Sequence, residues 1–279
     1  MNINDLKKQV DKINILKSKN NYNSHSLNDL QNLPTFNGLS ELSFRKTFFY
    51  MLNIANDDAV PLKYLWRNSY ENLSLNLWYE LTRQDGVFFD VGAHTGIYSI
   101  IGNLNNTYNN IISIEPYFLN FSRLLSNLKI NSFSHKSCLM AAASNEKGIT
   151  AFAVENEQSY HSSSGSISDV GKINVPKIKI DNFNFDKKIY GIKIDTEGHE
   201  FEVLQGGINS IKKDKPDIIF EISKYGFNNC LDILKTNGYE YFYFINEAEQ
   251  RFMPIKEFSP SLIKLEGSNC YATTNTRFI

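Results

Sequence analysis

Several things are scarce in this sequence, and each scarcity removes a class of protein. Only three cysteines occur in 279 residues. Cys138, Cys230 and Cys270 lie far apart and are odd in number, which builds neither a disulfide framework nor a C-x-x-C redox or metal motif; a reducing compartment is expected. Neither sign of charge is in excess, since 29 Lys and Arg stand against 30 Asp and Glu for a formal net charge of -1. That balance removes the basic surface on which non-specific nucleic-acid or membrane binding depends, so no nucleic-acid partner is expected. A long apolar run is missing as well. Asp and Lys interrupt Met1 to Asn21, which therefore reads as neither a secretory signal nor a transmembrane anchor, and the protein is expected in the cytoplasm. No internal repeat is visible.

What is present is core material, 42% hydrophobic against 21% charged side chains, enough for one domain with an appendage. Residues 1 to about 40 are polar, yet Ile3, Leu6, Val10 and Ile13 recur at helical spacing and predict a short amphipathic helix with a packing or dimer-contact role. Ser43 to Arg83 is rich in aromatics and reads mostly as helix. The expected division is a mostly helical appendage over 1–65 and a ligand-binding domain over 66–279. From Val87 onward, short apolar runs (VFFDV, IISIE) alternate with helical stretches, the pattern of an α/β protein with a parallel sheet covered on both faces. The helix after Pro116 places Tyr117, Phe121, Leu124 and Leu128 on one stripe. Further strands are predicted near Cys138 to Ala142, Tyr190 to Ile194, Asp217 to Ile222 and Tyr241 to Ile245, with Asn269 to Thr274 returning as an antiparallel edge strand. The Ser-rich 155–172 segment, with Tyr160 and His161, is too polar for a core and reads as a mobile surface loop.

Three motifs carry chemistry. In FFDVGAHTG a strand ends at Asp90 and Val91, then turns through Gly92, Ala93, His94, Thr95 and Gly96 into a helix whose free N–H groups attract an anion. A dinucleotide fingerprint needs glycine where His94 stands, which disfavours nicotinamide cofactors. The second strand ends in Glu115, before Pro116, where an acid can accept both hydroxyls of a ribose. In IKIDTEGHEFEVLQGG a buried strand delivers Asp195, Glu197, His199 and Glu200 to the same sheet edge. Such groups repel one another unless they meet a cation, a substrate or hydrogen-bond donors.

With these motifs in place the sequence resembles the FkbM-type S-adenosylmethionine-dependent methyltransferases. The resemblance rests on Asp90-Val91-Gly92-Ala93 to Gly96, Glu115-Pro116, and Asp195-Thr196-Glu197-Gly198-His199-Glu200 followed by Val203-Leu204-Gln205-Gly206. It covers about Tyr70 to Ile222, including a Tyr70-Glu71 pair and the Ala142 to Gly148 segment. It implies a Rossmann-like class I methyltransferase fold, a mostly parallel, doubly wound, seven-stranded sheet with an antiparallel edge strand and an N-terminal helical appendage. It also implies S-adenosylmethionine as cofactor, with the Gly92 turn at its methionyl part, Glu115 at the ribose, Ala141 and Ala142 at the adenine, Asp90 bracing the turn, and Glu71 and Asp195 among the other cofactor-binding residues. His94 reads as a spacing residue of that turn.

Methyl transfer from a sulfonium is an in-line displacement that also requires a proton to leave the acceptor. His199 is the candidate base because its ordinary pKa lies nearest neutral, with Asp195 and Glu197 beside it. Asp195 and Glu221 both end strands and could hold Mg²⁺, or could instead hydrogen-bond acceptor hydroxyls directly. The expected function is O-methylation of a hydroxyl on a sugar, glycan or related polar metabolite. The alternatives are an inactive binding module that keeps the cofactor fold, or a methyltransferase acting on a non-sugar small molecule or a protein. A homodimer is compatible with this reading.

Overall fold

Period-two and period-3.6 burial divide this chain cleanly, and the elements follow from which period each segment carries. The structure, a computed structural model, describes residues 3–105, 110–154, 165–223, 226–255 and 268–277. Helix α1 (Ile3–Lys19) stands where a helix was expected and buries Ile13, whereas Val10 of the expected stripe is exposed. Helix α2 (Leu27–Gln31) begins in a capping box, Ser26 Oγ accepting from the Asp29 N–H while the Asp29 carboxylate accepts from the Ser26 N–H.

The helix expected from Ser43 is corrected over its first part. Strands β1 (Gly38–Phe44) and β2 (Thr47–Asn53) form an antiparallel hairpin. Leu42 and Phe44 on one strand and Phe49 and Met51 on the other are buried at alternate positions, so period two prevails over the aromatic content. Helices α3 (Ala59–Arg67) and α4 (Asn72–Leu81) follow. Ile13, Tyr22, Leu30, Phe36, Leu62 and Trp66 form a small core of their own. The hairpin is tied to the rest of the chain by polar side chains: the N–H groups of Leu52 and Tyr50 donate to the Oδ1 atoms of Asn127 and Asn131, both at 2.8 Å.

The main unit runs β3 (Val87–Val91), α5 (Ile97–Asn103), β4 (Asn110–Ile114), α6 (Phe118–Ile130), β5 (Cys138–Leu139), β6 (Ala142–Ala143), β7 (Gly148–Val154), β8 (Gly165–Ile167) and β9 (Ile173–Ile178). It continues through β10 (Ile189–Ile194), α7 (Glu200–Gly206), α8 (Ile208–Asp214), β11 (Asp217–Ile222), α9 (Phe227–Thr236), β12 (Tyr241–Asn246), β13 (Arg251–Pro254) and β14 (Ser268–Thr273). Among the described residues the central sheet has eight strands in the order β13-β12-β14-β11-β10-β3-β4-β5, with the run from β11 to β5 parallel. Every residue of β3 and of β11 is buried, as a parallel strand covered on both faces requires.

Two details correct the expected sheet. The last strand, β14, is antiparallel as expected but lies between β11 and β12 rather than at the edge, and the short β13 is the edge and the eighth strand. Cys270, Tyr271 and Ala272 are fully buried, which an interior position allows and an edge does not. A second, four-stranded sheet, β6-β9-β7-β8, stands beside the first. The Ser-rich loop is therefore shorter than expected at its end, because 165–167 is strand β8 paired with β7; residues 155–164, with Tyr160 and His161, lie outside the described residues.

Candidate functional site

The carboxyl ends of β3, β4 and β10 open into a cavity of about 300 Å³, the place where open α/β sheets bind ligands. Asp90, Gly92, Ala93, His94, Glu115, Pro116, Ala141, Ala142, Asp195, Glu197 and His199 line it together. Glu71, Thr95, Gly96 and Glu221 are not in its lining. Thr95 is buried and gives its carbonyl to Asn127 Nδ2 at 2.8 Å, and a Cβ on Gly96 would stand 2.6 Å from Leu124 Cδ1, so these two residues seat α5 against α6.

The first turn is closed mainly by backbone. The N–H groups of Gly92 and Ala93 both donate to the Ile114 carbonyl at 2.9 and 3.0 Å, and that of Gly96 donates to the Ala93 carbonyl at 2.8 Å. These donors are thus already used, contrary to the free anion-binding turn read from the sequence. Gly92 has φ +75°, and a Cβ there would lie 1.7 Å from the Asp195 carbonyl oxygen. Its small size is required first by the neighbouring strand. Asp90, beneath the turn, accepts from Ser99 Oγ at 2.5 Å, and burial pushes its carboxyl up to about 6 although that hydrogen bond and Lys193 oppose the rise.

Glu115, 5% exposed, is held at both oxygens: Oε2 accepts from the His94 N–H and Oε1 from the Tyr117 N–H, each at 2.9 Å. Burial raises its pKa, while His94, the two backbone donors and Asn120 oppose the rise. His94 itself has φ +50° and holds Nδ1 3.9 Å from Asp58 Oδ1, the atom that caps α3 through the Val60 N–H.

The second turn, 195–200, is organised by side chains. Buried Glu200 accepts at Oε1 from the Thr196 N–H at 3.0 Å, from Thr196 Oγ1 at 2.9 Å and from the Gly198 N–H at 3.2 Å. One of the four supposedly repelling groups is therefore the fastener of its own loop. His199 lies 3.1 Å through Nε2 from Ser144 Oγ and 3.4 Å through Nδ1 from Glu202; burial holds its pKa below the ordinary value, against the pull of Glu202 and Glu200.

The expected Asp195–Glu221 metal pair is not supported. Asp195 Oδ2 receives the Lys193 ammonium at 3.0 Å, so a cation belonging to the chain already neutralises it. Burial, then Asp195 and Glu197, pushes Glu221 up to about 9, which leaves it a neutral acid outside the cavity lining. Among the described residues no group of three or more His, Cys, Asp and Glu is arranged to hold a metal ion. The donor set does not fit Mg²⁺.

The sequence profile of the Methyltransferase FkbM domain matches residues 90–241, more than half of the chain. The chain belongs to the FkbM methyltransferase family. A methyltransferase FkbM from Methylobacillus flagellatus KT is similar in structure at 14% identity and a TM-score of 0.45, over 78% of this chain and 54% of that one, so this chain spans about half that protein's length. A precorrin-6y C5,15-methyltransferase from Geobacter metallireducens GS-15 matches at 14% identity and a TM-score of 0.38, over 71% and 85% of the two chains. An SAM-dependent O-methyltransferase from Thermotoga maritima matches at 11% and 0.40, over 75% and 67%. No curated protein matches.

The FkbM-matching residues do not complete the cavity. Leu27, Val60, Lys63 and Tyr70, all before residue 90, supply part of its wall. Lys193 also escaped the sequence reading. It is 1% exposed, donates to Asp195 Oδ2 and Asn269 Oδ1 at 3.0 Å each, and lies 4.9 Å from the centre of the Tyr98 ring. Burial would lower its pKa, but Asp195 and Glu71 outweigh burial and raise it. Its signal was a lone charge between two isoleucines of a buried strand. Glu71, behind it, accepts from Tyr98 Oη at 2.6 Å and Asn269 Nδ2 at 3.1 Å.

Proposed function

We propose that this FkbM-family protein is an S-adenosylmethionine-dependent O-methyltransferase whose acceptor is a hydroxyl of a sugar, glycan or related polar metabolite. The observation that carries the cofactor reading is Glu115. Its oxygens accept the His94 and Tyr117 N–H groups and a side-chain hydrogen bond from Asn120, which fixes a carboxylate that lines the cavity and can accept from a ribose hydroxyl. Ala141 and Ala142 beside it leave room for a flat base, and the residues present therefore fit the cofactor. When bound, the cofactor supplies an electrophilic methyl group.

The chain's own residues then have three tasks. Asp195 and Glu197, on the opposite rim, can accept hydrogen bonds from the hydroxyls of a polyol and orient it. His199, neutral at pH 7 because burial lowers its pKa, can take up the proton of the reacting hydroxyl, its ring steadied by Ser144 and Glu202. Lys193 holds Asp195 in place. A cytoplasmic location fits three free thiols, two of them buried. Among the described residues no helix is long and apolar enough to cross a membrane.

The test is calorimetric binding of S-adenosylmethionine and S-adenosylhomocysteine, followed by transfer of labelled methyl to a panel of glycans, sugar nucleotides and polar metabolites. Binding of both ligands and labelling of a hydroxylated acceptor are expected. Binding of NAD in place of either would end this reading.

A further inference from the structure

Lys63 stands on α3, outside the residues that match the family, and its side chain enters the cavity wall. Among the described residues its ammonium makes no hydrogen bond and no ion pair; its contact is the face of Tyr70, 5.4 Å from Nζ to the ring centre. Lys193, in the same wall, is by contrast held by Asp195 and Asn269 at 3.0 Å each. The acid whose charge Lys63 feels most is Glu71, and that carboxylate is already occupied by Tyr98 and Asn269. A half-buried ammonium without a carboxylate partner is costly unless something outside the chain completes it.

Its position says what that something is. Tyr70, whose ring Lys63 covers, hydrogen-bonds to Glu71, Glu71 accepts from Asn269 Nδ2, and Asn269 Oδ1 accepts from Lys193 of β10, a chain of contacts that puts the ammonium toward the β10 end of the cavity. Glu115 and the adjoining Ala141 and Ala142 stand at the β4 end. A ligand with its ribose at Glu115 would reach the β10 end of the cavity by passing Gly92, and its amino-acid end would then stand near Asp195, Tyr70 and Lys63. Burial lowers the Lys63 pKa, with Glu71 opposing and Arg67 adding to the fall, the state of a cation that lacks a close counter-charge.

We infer that Lys63 receives a carboxylate in this cavity, that of the cofactor's amino-acid end, and that the N-terminal region thereby completes the cofactor site from outside the family domain. The inference rests on the cavity being the S-adenosylmethionine site. Its test uses the full chain, titrated calorimetrically with S-adenosylhomocysteine and with 5′-methylthioadenosine, which keeps the adenosine and the thioether but lacks the amino-acid end. Lys63→Gln should weaken S-adenosylhomocysteine binding roughly ten- to a hundredfold, the usual worth of a hydrogen bond to a charged group. Lys63→Arg should restore most of it, and methylthioadenosine affinity should stay unchanged in both variants. Unchanged S-adenosylhomocysteine affinity in Lys63→Gln would overturn the inference and assign the ammonium to an anionic group on the acceptor. Equal losses for both ligands would overturn it in favour of a general role in seating α3. Wild-type protein that binds neither ligand would overturn the reading of the cavity itself, an outcome visible before any substitution is made.

Discussion

The two turns at the carboxyl ends of β3 and β10 are neighbours built on opposite principles. Residues 90–96 are closed by main-chain hydrogen bonds and by glycines that admit no side chain. Residues 195–200 are tied by side chains, Glu200 within the loop and Lys193 beneath it, and a Cβ on Gly198 would meet nothing within 4 Å. A turn made of backbone can hold a shape but offers few groups for chemistry. One fastened by a single carboxylate leaves Asp195, Glu197 and His199 facing the cavity. Under the proposed function the first turn serves as framework and the second as the reactive edge.

Alanine at the two glycines is the sharpest way to break this contrast. Both have positive φ, +75° at Gly92 and +99° at Gly198, so both variants carry backbone strain. Only Gly92→Ala also collides with the Asp195 carbonyl. It should cost about 4–6 kcal/mol of unfolding free energy, from strain plus overpacking, whereas Gly198→Ala should cost about 1–2 kcal/mol, from strain alone. Denaturant unfolding of both variants is the measurement, and equal losses would dissolve the distinction.

Removing the reactive edge should leave the framework intact. His199→Ala should lower the maximal rate of methyl transfer by about 10²–10⁴-fold while S-adenosylhomocysteine binding stays nearly unchanged. The same assay should be insensitive to chelator, because Lys193 supplies the positive charge at Asp195. A variant that loses cofactor binding as well as rate would show the two turns to be a single functional unit.

Glu115 probes the framework side. Glu115→Ala should weaken cofactor binding by about 1.5–3 kcal/mol. A dissociation constant equal to that of the wild type would mean that the carboxylate serves only the His94 and Tyr117 N–H groups.

The smallest effect is expected at Asp90. Its folded pKa of about 6 lies above the ordinary 3.8, so between about pH 4 and 6 the folded state binds more protons than the unfolded one and stability falls as pH rises. Asp90→Asn should remove this component of the slope and gain about 1–2 kcal/mol at pH 7. Urea melts at pH 4.5 and pH 7 compare the two proteins, and an unchanged slope in the variant would place the buried charge elsewhere.

Most of this architecture was legible because its signals are local. VFFDV, IISIE and the Asp195 to Gly206 block each combine a strand period, a turn residue and a helix start within about fifteen positions, and the family resemblance rests on them. A helix near the N-terminus and the stripe after Pro116 were equally plain. The hairpin at 38–53 was missed because its aromatics outweighed its alternation. The interior place of β14 was missed because strand order depends on which faces are left uncovered once the other strands have paired. Glu200 and Lys193 were misjudged or overlooked for a related reason: a sequence gives the spacing of charges but not their partners.

By itself, then, the sequence determined the fold class, the family, and the two turns and Glu115 that carry the motifs, since hydrophobic period and glycine placement act over a few residues. Only the tertiary structure decided that Gly92 is small for the sake of the Asp195 carbonyl, that Lys193 neutralises Asp195 where a metal was expected, and that Lys63 of the N-terminal region reaches the cavity. Each of these joins residues far apart in the chain, at distances fixed by the packing of whole elements, which no local pattern encodes.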